Sequence, residues 1–483
     1  MGKIANLYFV FRVISRILLI ETAALLFCAA LSYYYAEDPV PFFITAFISF
    51  FVGICLFLFR GKSSAAPQIH RRDAYITVTL SWLIISWVGA LPYLFSGAIP
   101  GITNAFFESV SGFTTTGSSI LADIESLPAG VLFWRSLTHW IGGIGIIVLV
   151  ILLMPKLKIG GYHLFTLESS LQGKIQPKIR SVGNRLFLIY LLLTVGEIVL
   201  LLAGGMNLFE STCHAFGTVA TGGFSPKNTS ISSYSPYIQY VIMLFMLLSG
   251  TNFVIHYYLL KREFRKVRDN DEFRFYLVIV FIVGILVTSS LVFVMGKPIE
   301  VAFREGFFQV ISIITCTGYA TADYMQWPVF AWGLLFFAMF FGGSTGSTAG
   351  GIKMARHLVL LRNLNRVFKQ LLSTHAIVSV KLNNKVVSDD SNRSILSFIS
   401  VYLLLFVAGS ILMAALGVDL KTSASSVATC MAGIGPGIGS VGPVANFAHL
   451  PESGKLLLSF LMITGRLEIY TILALFSIKF WKK

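Results

Sequence analysis

Charge is scarce in this 483-residue chain. Asp, Glu, Lys and Arg make up 12% of it, against 55% apolar residues, and mean hydropathy is +0.78. That scarcity excludes the string of soluble domains the length alone would allow. Cysteine is scarce too. Cys28, Cys55, Cys213, Cys316 and Cys430 show no metal-ligand spacing, which argues against a disulfide framework or a zinc site. The eight histidines fall into no acid–base–nucleophile or metal-ligand set. A membrane enzyme or receptor scaffold is therefore a weak alternative, and no organic cofactor is expected. Acidic residues are the rarer sign, 22 against 37 Lys and Arg, for a net charge of +15. That excess could point to nucleic acid, but its distribution argues otherwise.

Of the 37 basic residues, 30 fall on one side of the expected membrane. They lie at the N-terminus (Lys3, Arg12, Arg16), in 60–72, 156–185, 261–274 and 353–393, and at the C-terminus (Lys479, Lys482, Lys483). The remaining seven are Arg135, Lys227, Lys297, Arg304, Lys421, Lys455 and Arg466. This is the positive-inside pattern, and it predicts cytoplasmic termini. Attraction to anionic lipid headgroups is a secondary reading of the same charge. Long apolar runs recur along the whole chain and are spans, not one signal peptide.

Two apolar segments come first, within residues 1–60. Then one pattern occurs four times, over 74–155, 180–260, 272–372 and 392–483: a long span, a short half-polar segment, a glycine loop and a returning span. The fold class expected is an all-α polytopic membrane protein with ten full spans. The four short segments of roughly 10–13 residues cannot cross a bilayer core of about 30 Å, and read as re-entrant. Irregular backbone at membrane depth survives only inside protein or beside water. Each unit starts and ends on the same side, so the repeats are parallel about an axis along the membrane normal. Four pseudosymmetric helix–loop–helix units around one aqueous path follow.

The first loop is Thr114-Thr115-Thr116-Gly117 and the third is Thr315-Cys316-Thr317-Gly318. In both units a polar residue, Glu108 or Gln309, stands nine positions before the glycine. In the second unit His214 takes that place if the register glycine is Gly223 in Ala220-Thr221-Gly222-Gly223. A competing register keeps Thr-Gly and chooses Gly222. The fourth loop, Gly433-Ile434-Gly435, lacks Thr-Gly, and Gly435 fits the spacing. Glycine lets a backbone turn its carbonyls inward close to an axis. A ring of carbonyls can replace the hydration shell of an alkali cation. Threonine hydroxyls add oxygens or brace the loop, and the helix C-termini aim negative dipole ends at the site.

Taken with Phe106-Phe107-Glu108-Ser109, Trp140-Ile141-Gly142-Gly143-Ile144-Gly145, the run Gly342–Lys353, Gly435-Pro436-Gly437 and Gly465-Arg466-Leu467-Glu468, these motifs resemble the superfamily of bacterial Trk and Ktr and plant HKT potassium transporters. Within it the chain is similar to the TrkH/TrkG-type membrane subunit, two extra N-terminal spans included. The resemblance implies a bacterial inner-membrane potassium pore, usually one per protomer of a homodimer, under a cytosolic TrkA-type nucleotide-binding ring. It carries the filter glycines onto Gly117, Gly223 (or Gly222), Gly318 and Gly435. The sequence departs from the family where Asn residues usually stand at 432–433 and where Thr-Ala-Gly-Gly replaces Thr-Gly-Gly-Gly. Gly117 favours potassium, because a side chain there accompanies sodium permeation in the HKT branch. A sodium-permeable or sodium- or proton-coupled transporter is the alternative.

The resemblance also makes 342–353 a gating loop, with Gly343, Gly346, Gly350, Gly351 and Lys353 in it. Five glycines near mid-membrane disfavour regular helix. Lys353 reads otherwise as a snorkelling charge at the end of a span. Arg466, halfway along the last span, needs water or a partner. Glu468 lies on a different helix face, and contact with the gating loop is expected instead. Glu108 and His214 are expected to be solvated or capping. The sequence offers Arg135 no partner. The stretches 156–185 and 261–274 are candidate docking surfaces.

Overall fold

The computed structural model describes residues 6–59, 71–152, 179–373 and 378–481. Most of the basic stretches 60–72 and 156–185, the end of the first returning span and Lys3, Lys482 and Lys483 lie outside them. Among the described residues the named elements are helical except for a two-stranded ribbon, Lys381–Leu382 with Lys385–Val386. Six described helices are long and apolar enough to cross a membrane, or eight if each sharply bent pair is one span. This is a multi-pass membrane protein.

Helices Leu7–Tyr34 and Val40–Leu58 form the N-terminal pair. They pack on each other and on the first and last helices of unit one. Each of the four units then begins with an outer helix: Arg71–Phe95, Ile179–Ala203, Asp271–Phe293 and Asp389–Ala415. A short pore helix follows: Ile102–Phe113, Leu208–Val219, Ile299–Ile314 and Leu420–Ala432. At 1.5 Å per residue these measure about 18–24 Å, less than a bilayer core. Their starts are chemically distinct. The side chains of Asn207 and Asp419 accept from the backbone amides of Glu210 and Thr422, satisfying orphan donors of the first turn. Gly101 and Pro298 begin the other two without a side-chain cap.

The pore helices are enclosed by protein. Residues 105–113 of the first and 306–314 of the third are all buried, and so are Thr422, Ser423, Ser425, Ser426 and Thr429 of the fourth. Half-polar helices are stable at membrane depth only in such a setting, where hydroxyls find carbonyls in place of lipid.

The returning helices differ from the expectation of one interrupted span. The first, Ala129–Leu152, is continuous. The second is also broken: Pro236–Ser249 and Phe253–Leu260 meet at 103° across Gly250–Asn252. Asn252 caps the second half by accepting from Val254 N–H at 2.9 Å. The third splits into Val329–Ala338 and Met354–Leu372 around the glycine stretch. The fourth turns by 116° between Glu452–Arg466 and Ile469–Phe476, with Glu468 at φ +62. Hydropathy reads straight through the second and fourth breaks because apolar residues flank both. Only backbone satisfaction by neighbouring chain makes such bends affordable at this depth.

Candidate functional site

The four loops leave their helices in the same way. Thr115, Thr221, Cys316 and Gly433 take left-handed φ values of +52°, +55°, +56° and +72°. The next residue in each loop donates its N–H five residues back. These bonds run from Thr116 to Ser111 (2.8 Å), Gly222 to Gly217 (2.7 Å), Thr317 to Ser312 (2.8 Å) and Ile434 to Thr429 (3.0 Å). This Schellman-type exit ties off orphan carbonyls of the helix end. Three of the left-handed residues carry side chains, at about 1–2 kcal/mol each. The fourth loop uses glycine at that position, so its divergent sequence keeps the shared backbone.

The following residues, Gly117, Gly223, Gly318 and Gly435, also have positive φ, between +79° and +101°. Gly223, not Gly222, is thus the backbone equivalent of Gly117, and Gly222 stands where Thr116 and Thr317 stand. The two adjacent glycines serve different contacts. A Cβ on Gly222 would lie 2.5 Å from the His139 ring, and one on Gly223 would lie 1.9 Å from the Thr317 carbonyl oxygen.

The loops meet in cyclic order. A Cβ on Gly117 would lie 2.0 Å from the Gly222 oxygen, and one on Gly318 would lie 1.8 Å from the Ile434 oxygen. From Gly435 the circuit closes on Thr116 and Gly117 at 3.0–3.1 Å, a looser contact than the other three. Backbone therefore lies against backbone around the ring, with units one and three opposite each other. In those two units the hydroxyls of the first and third loop residues bond each other: Thr114 with Thr116 and Thr315 with Thr317, both at 2.8 Å. Units two and four have Ala220 and Gly222, or Ala432 and Ile434, at these places. The side-chain pattern is thus twofold on a fourfold backbone.

In units one, two and three the polar residue nine before the glycine braces the chain beyond it. Glu108 is buried, not solvated. It accepts from Ser119 Oγ (2.9 Å), from Ile120 N–H (2.9 Å) and from Arg135 Nε (2.9 Å). His214 is also buried, with Nε2 at 3.0 Å from Ser225 Oγ and Nδ1 at 2.8 Å from the Glu210 carbonyl. Gln309 donates to the Tyr319 carbonyl at 3.4 Å. The expectation that Glu108 and His214 are solvated or capping is therefore corrected. Arg135 gains a partner as well: besides Glu108, it stacks 4.0 Å from the Phe224 ring centre and bonds the Ser225 carbonyl at 3.3 Å. A guanidinium within a span needs a carboxylate at the same depth. That signal was present in Glu108, but their approach joins a pore helix to a returning helix and is invisible along the chain.

On the outer rim, Asn228 ties unit two to unit one, donating to Asp123 Oδ1 at 2.9 Å and accepting from Ile124 N–H at 2.6 Å. The Asn228 amide holds the exposed Asp123 carboxyl below its ordinary range.

The glycine stretch 342–351 lies across the helix ends beneath the ring. Its neck is closed by Gly342 N–H to the Ile352 carbonyl (2.9 Å) and Met354 N–H to the Gly343 carbonyl (3.2 Å). Ser344 N–H donates to the Gly250 carbonyl (2.8 Å), and Phe253 N–H to the Gly346 carbonyl (3.2 Å), so the stretch fills the break in unit two. Thr348 Oγ1 reaches the Val219 carbonyl at 3.0 Å, the end of the second pore helix. A Cβ on Gly350 would lie 2.1 Å from the Ala432 oxygen, and one on Gly351 would lie 3.4 Å from Cys316 Sγ. Lys353 does not reach into solvent as a snorkelling charge would; it is partly buried and its ammonium donates to the Ala349 carbonyl.

Arg466 links the stretch to unit one. Its Nη1 donates to the Thr348 carbonyl (2.8 Å) and Nη2 to the Gly142 carbonyl (3.2 Å). Gly142 in turn packs on the end of the first pore helix, where a Cβ would lie 2.0 Å from the Phe113 oxygen. Glu468 pairs with Arg356 at 2.5 Å instead of with Arg466, and the Arg356 guanidinium covers the Phe398 ring at 3.7 Å. All four pore-helix ends are therefore in contact with the stretch, three directly and the first through Arg466 and Gly142.

A family model described as TrkH, a cation transport protein, matches residues 41–483. The chain is 37% identical over 448 residues to the Trk system potassium uptake protein TrkH of Escherichia coli K12, covering 91% of this chain and 92% of that relative. It is 36% identical over 459 residues to the Trk system potassium uptake protein TrkG of the same strain, covering 93% of each. The crystal structure of the potassium transporter TrkH from Vibrio parahaemolyticus superposes with a TM-score of 0.88 at 31% identity, covering 98% of this chain and 99% of that one.

Proposed function

The chain belongs to the TrkH family of cation transport proteins, and from that premise we propose that it takes up potassium through one pore on the axis of its four loops. The observation that carries this reading is the closed circuit of glycine and carbonyl contacts. It brings four backbone segments to one axis, where backbone carbonyls replace water around a bare cation and partial charges let the ion leave again. The filter segments are Thr115–Gly117, Ala220–Gly223, Cys316–Gly318 and Gly433–Gly435. The threonine hydroxyls of units one and three brace the loops.

The gate in this reading is the stretch 342–351. It crosses the path beneath the ring, and conduction requires it to move. Arg466 holds it closed and places positive charge below the filter. Replacing Arg466 by alanine is expected to raise rubidium uptake several-fold, because two bonds to the closed arrangement and a repelling charge are lost together. Unchanged flux would remove Arg466 from the gate.

The setting proposed is the bacterial inner membrane with both termini cytoplasmic, which the positive-inside charge supports. A homodimer and a cytosolic nucleotide-binding ring complete the proposal, and the segment 261–274, exposed over most of 261–269, is the described candidate for contact with that ring.

Uptake of rubidium into proteoliposomes, with sodium as competitor, tests the whole reading. Accumulation that excess sodium leaves largely intact is expected. Movement of sodium in place of rubidium would favour the sodium-permeable alternative. If neither ion moves, with or without a nucleotide-binding partner, the transport reading fails.

A further inference from the structure

The glycine stretch is held by a residue that no sequence motif marks. Glu272 sits in the first turn of the third outer helix, Asp271–Phe293, and is 1% exposed. Its Oε1 accepts two backbone N–H groups, one within the stretch and one in the helix that follows it: Thr345 at 2.7 Å and Ala355 at 2.9 Å. Ala355 is the second residue of the helix Met354–Leu372, whose own cap residue, Lys353, supplies no side-chain bond to it. A helix start without a side-chain cap leaves donors that must find an acceptor, and a carboxylate there also meets the positive end of the helix dipole. Glu272 therefore caps this helix from another helix of the same unit and, with the same oxygen, pins the loop ten residues earlier in the chain.

The anchor itself is fixed. The neighbouring Asp271 Oδ2 accepts from Arg362 Nη1 at 3.0 Å and from Asn383 N–H at 2.8 Å. Arg362 belongs to the helix that Glu272 caps, and Asn383 lies in the turn of the small ribbon. Outer helix, capped helix and ribbon thus form one support. The bond to Thr345 reaches from that support into the loop.

We propose that Glu272 is the positioning residue of the gate. Its bond to Ala355 persists when the loop moves, its bond to Thr345 exists only in the closed arrangement, and the second bond sets how much of the time the loop lies across the pore. This rests on reading 342–351 as the gate. Buried N–H groups stripped of their acceptor are costly, and a charged acceptor is stronger than a neutral one. Removing the side chain should therefore release the loop, and an amide in its place should release it less.

The test uses the full chain in proteoliposomes, as Glu272→Ala and Glu272→Gln, with two readouts. One is rubidium uptake. The other is the rate at which a water-soluble thiol reagent modifies Ser347→Cys in the loop, relative to the same substitution beside an intact Glu272. Glu272→Ala is expected to raise both by about tenfold and Glu272→Gln by about threefold or less, with rubidium preference over sodium unchanged. Equal rates in all three backgrounds would overturn the proposal. So would equal effects of alanine and glutamine, or a loss of ion preference in step with the gain in flux, since either marks a general structural defect. If no form transports rubidium but the thiol rates still rank as stated, the transport reading fails and the positioning role stands.

Discussion

Replacing Gly318 by alanine is expected to lower rubidium uptake by at least roughly a hundredfold, equivalent to about 2.8 kcal/mol, while the protein still reaches the membrane. Two physical causes act together. Gly318 has φ +87, a conformation that costs a residue with a Cβ about 1–2 kcal/mol. The added carbon would also sit 1.8 Å from the Ile434 oxygen, the very carbonyl that the fourth unit contributes to the ring. Backbone cannot yield as a side chain does, so the third and fourth loops must separate. Gly117→Ser and Gly223→Ala face carbonyls at 2.0 Å and 1.9 Å and belong to the same class, with loss of preference for potassium over sodium expected wherever flux survives. Gly435→Ala is the instructive contrast. Its contacts begin at 3.0 Å, so φ strain remains but little displacement is needed, and a loss smaller than at Gly318 is expected. Uptake and ion preference measured across the four variants decide the matter: four equal effects would show that the ring contacts do not govern the filter.

Arg135→Ala is expected to destabilise the protein by about 3–5 kcal/mol, because it leaves the Glu108 carboxylate buried without its cation. Both side chains are at most 2% exposed, so water cannot take over. The loss should appear as a lower thermal midpoint in detergent and as reduced yield. The paired change Glu108→Gln with Arg135→Met should recover most of it, since a buried ion pair replaced as a unit is close to neutral and glutamine still accepts from Ile120 N–H. Transport should not recover in parallel. Arg135 also covers Phe224 and reaches the Ser225 carbonyl, and both residues directly follow the second glycine loop. A single variant as stable as the parent would show that the pair carries no weight. A double variant no better than the single would show that the cost comes from packing alone.

The membrane class, the four repeats and the loops were legible in the sequence because each rests on local chemistry. Apolar runs of span length, short half-polar segments and glycines at a fixed offset are properties of contiguous residues. The offset of nine even carried the choice of Gly223, which the left-handed backbone at +79° now accompanies. What the chain could not reveal joins residues far apart in it. Glu108 meets Arg135 across two elements, Glu468 meets Arg356 across 112 positions, and Glu272 meets Thr345 across 73. Linear spacing also misread the returning spans of units two and four, since composition does not record a bend; at the break in unit two the Gly250 carbonyl and the Phe253 amide are satisfied by unit three. The fourth loop looked divergent by residue type, yet Gly433 adopts the backbone that Thr115, Thr221 and Cys316 reach at a cost. Residue identity thus determined which segments enter the membrane and which turn back. The tertiary structure decided how four loops close on one axis and what holds the glycine stretch beneath them, because those contacts depend on burial and on backbone groups that find acceptors only when distant segments meet.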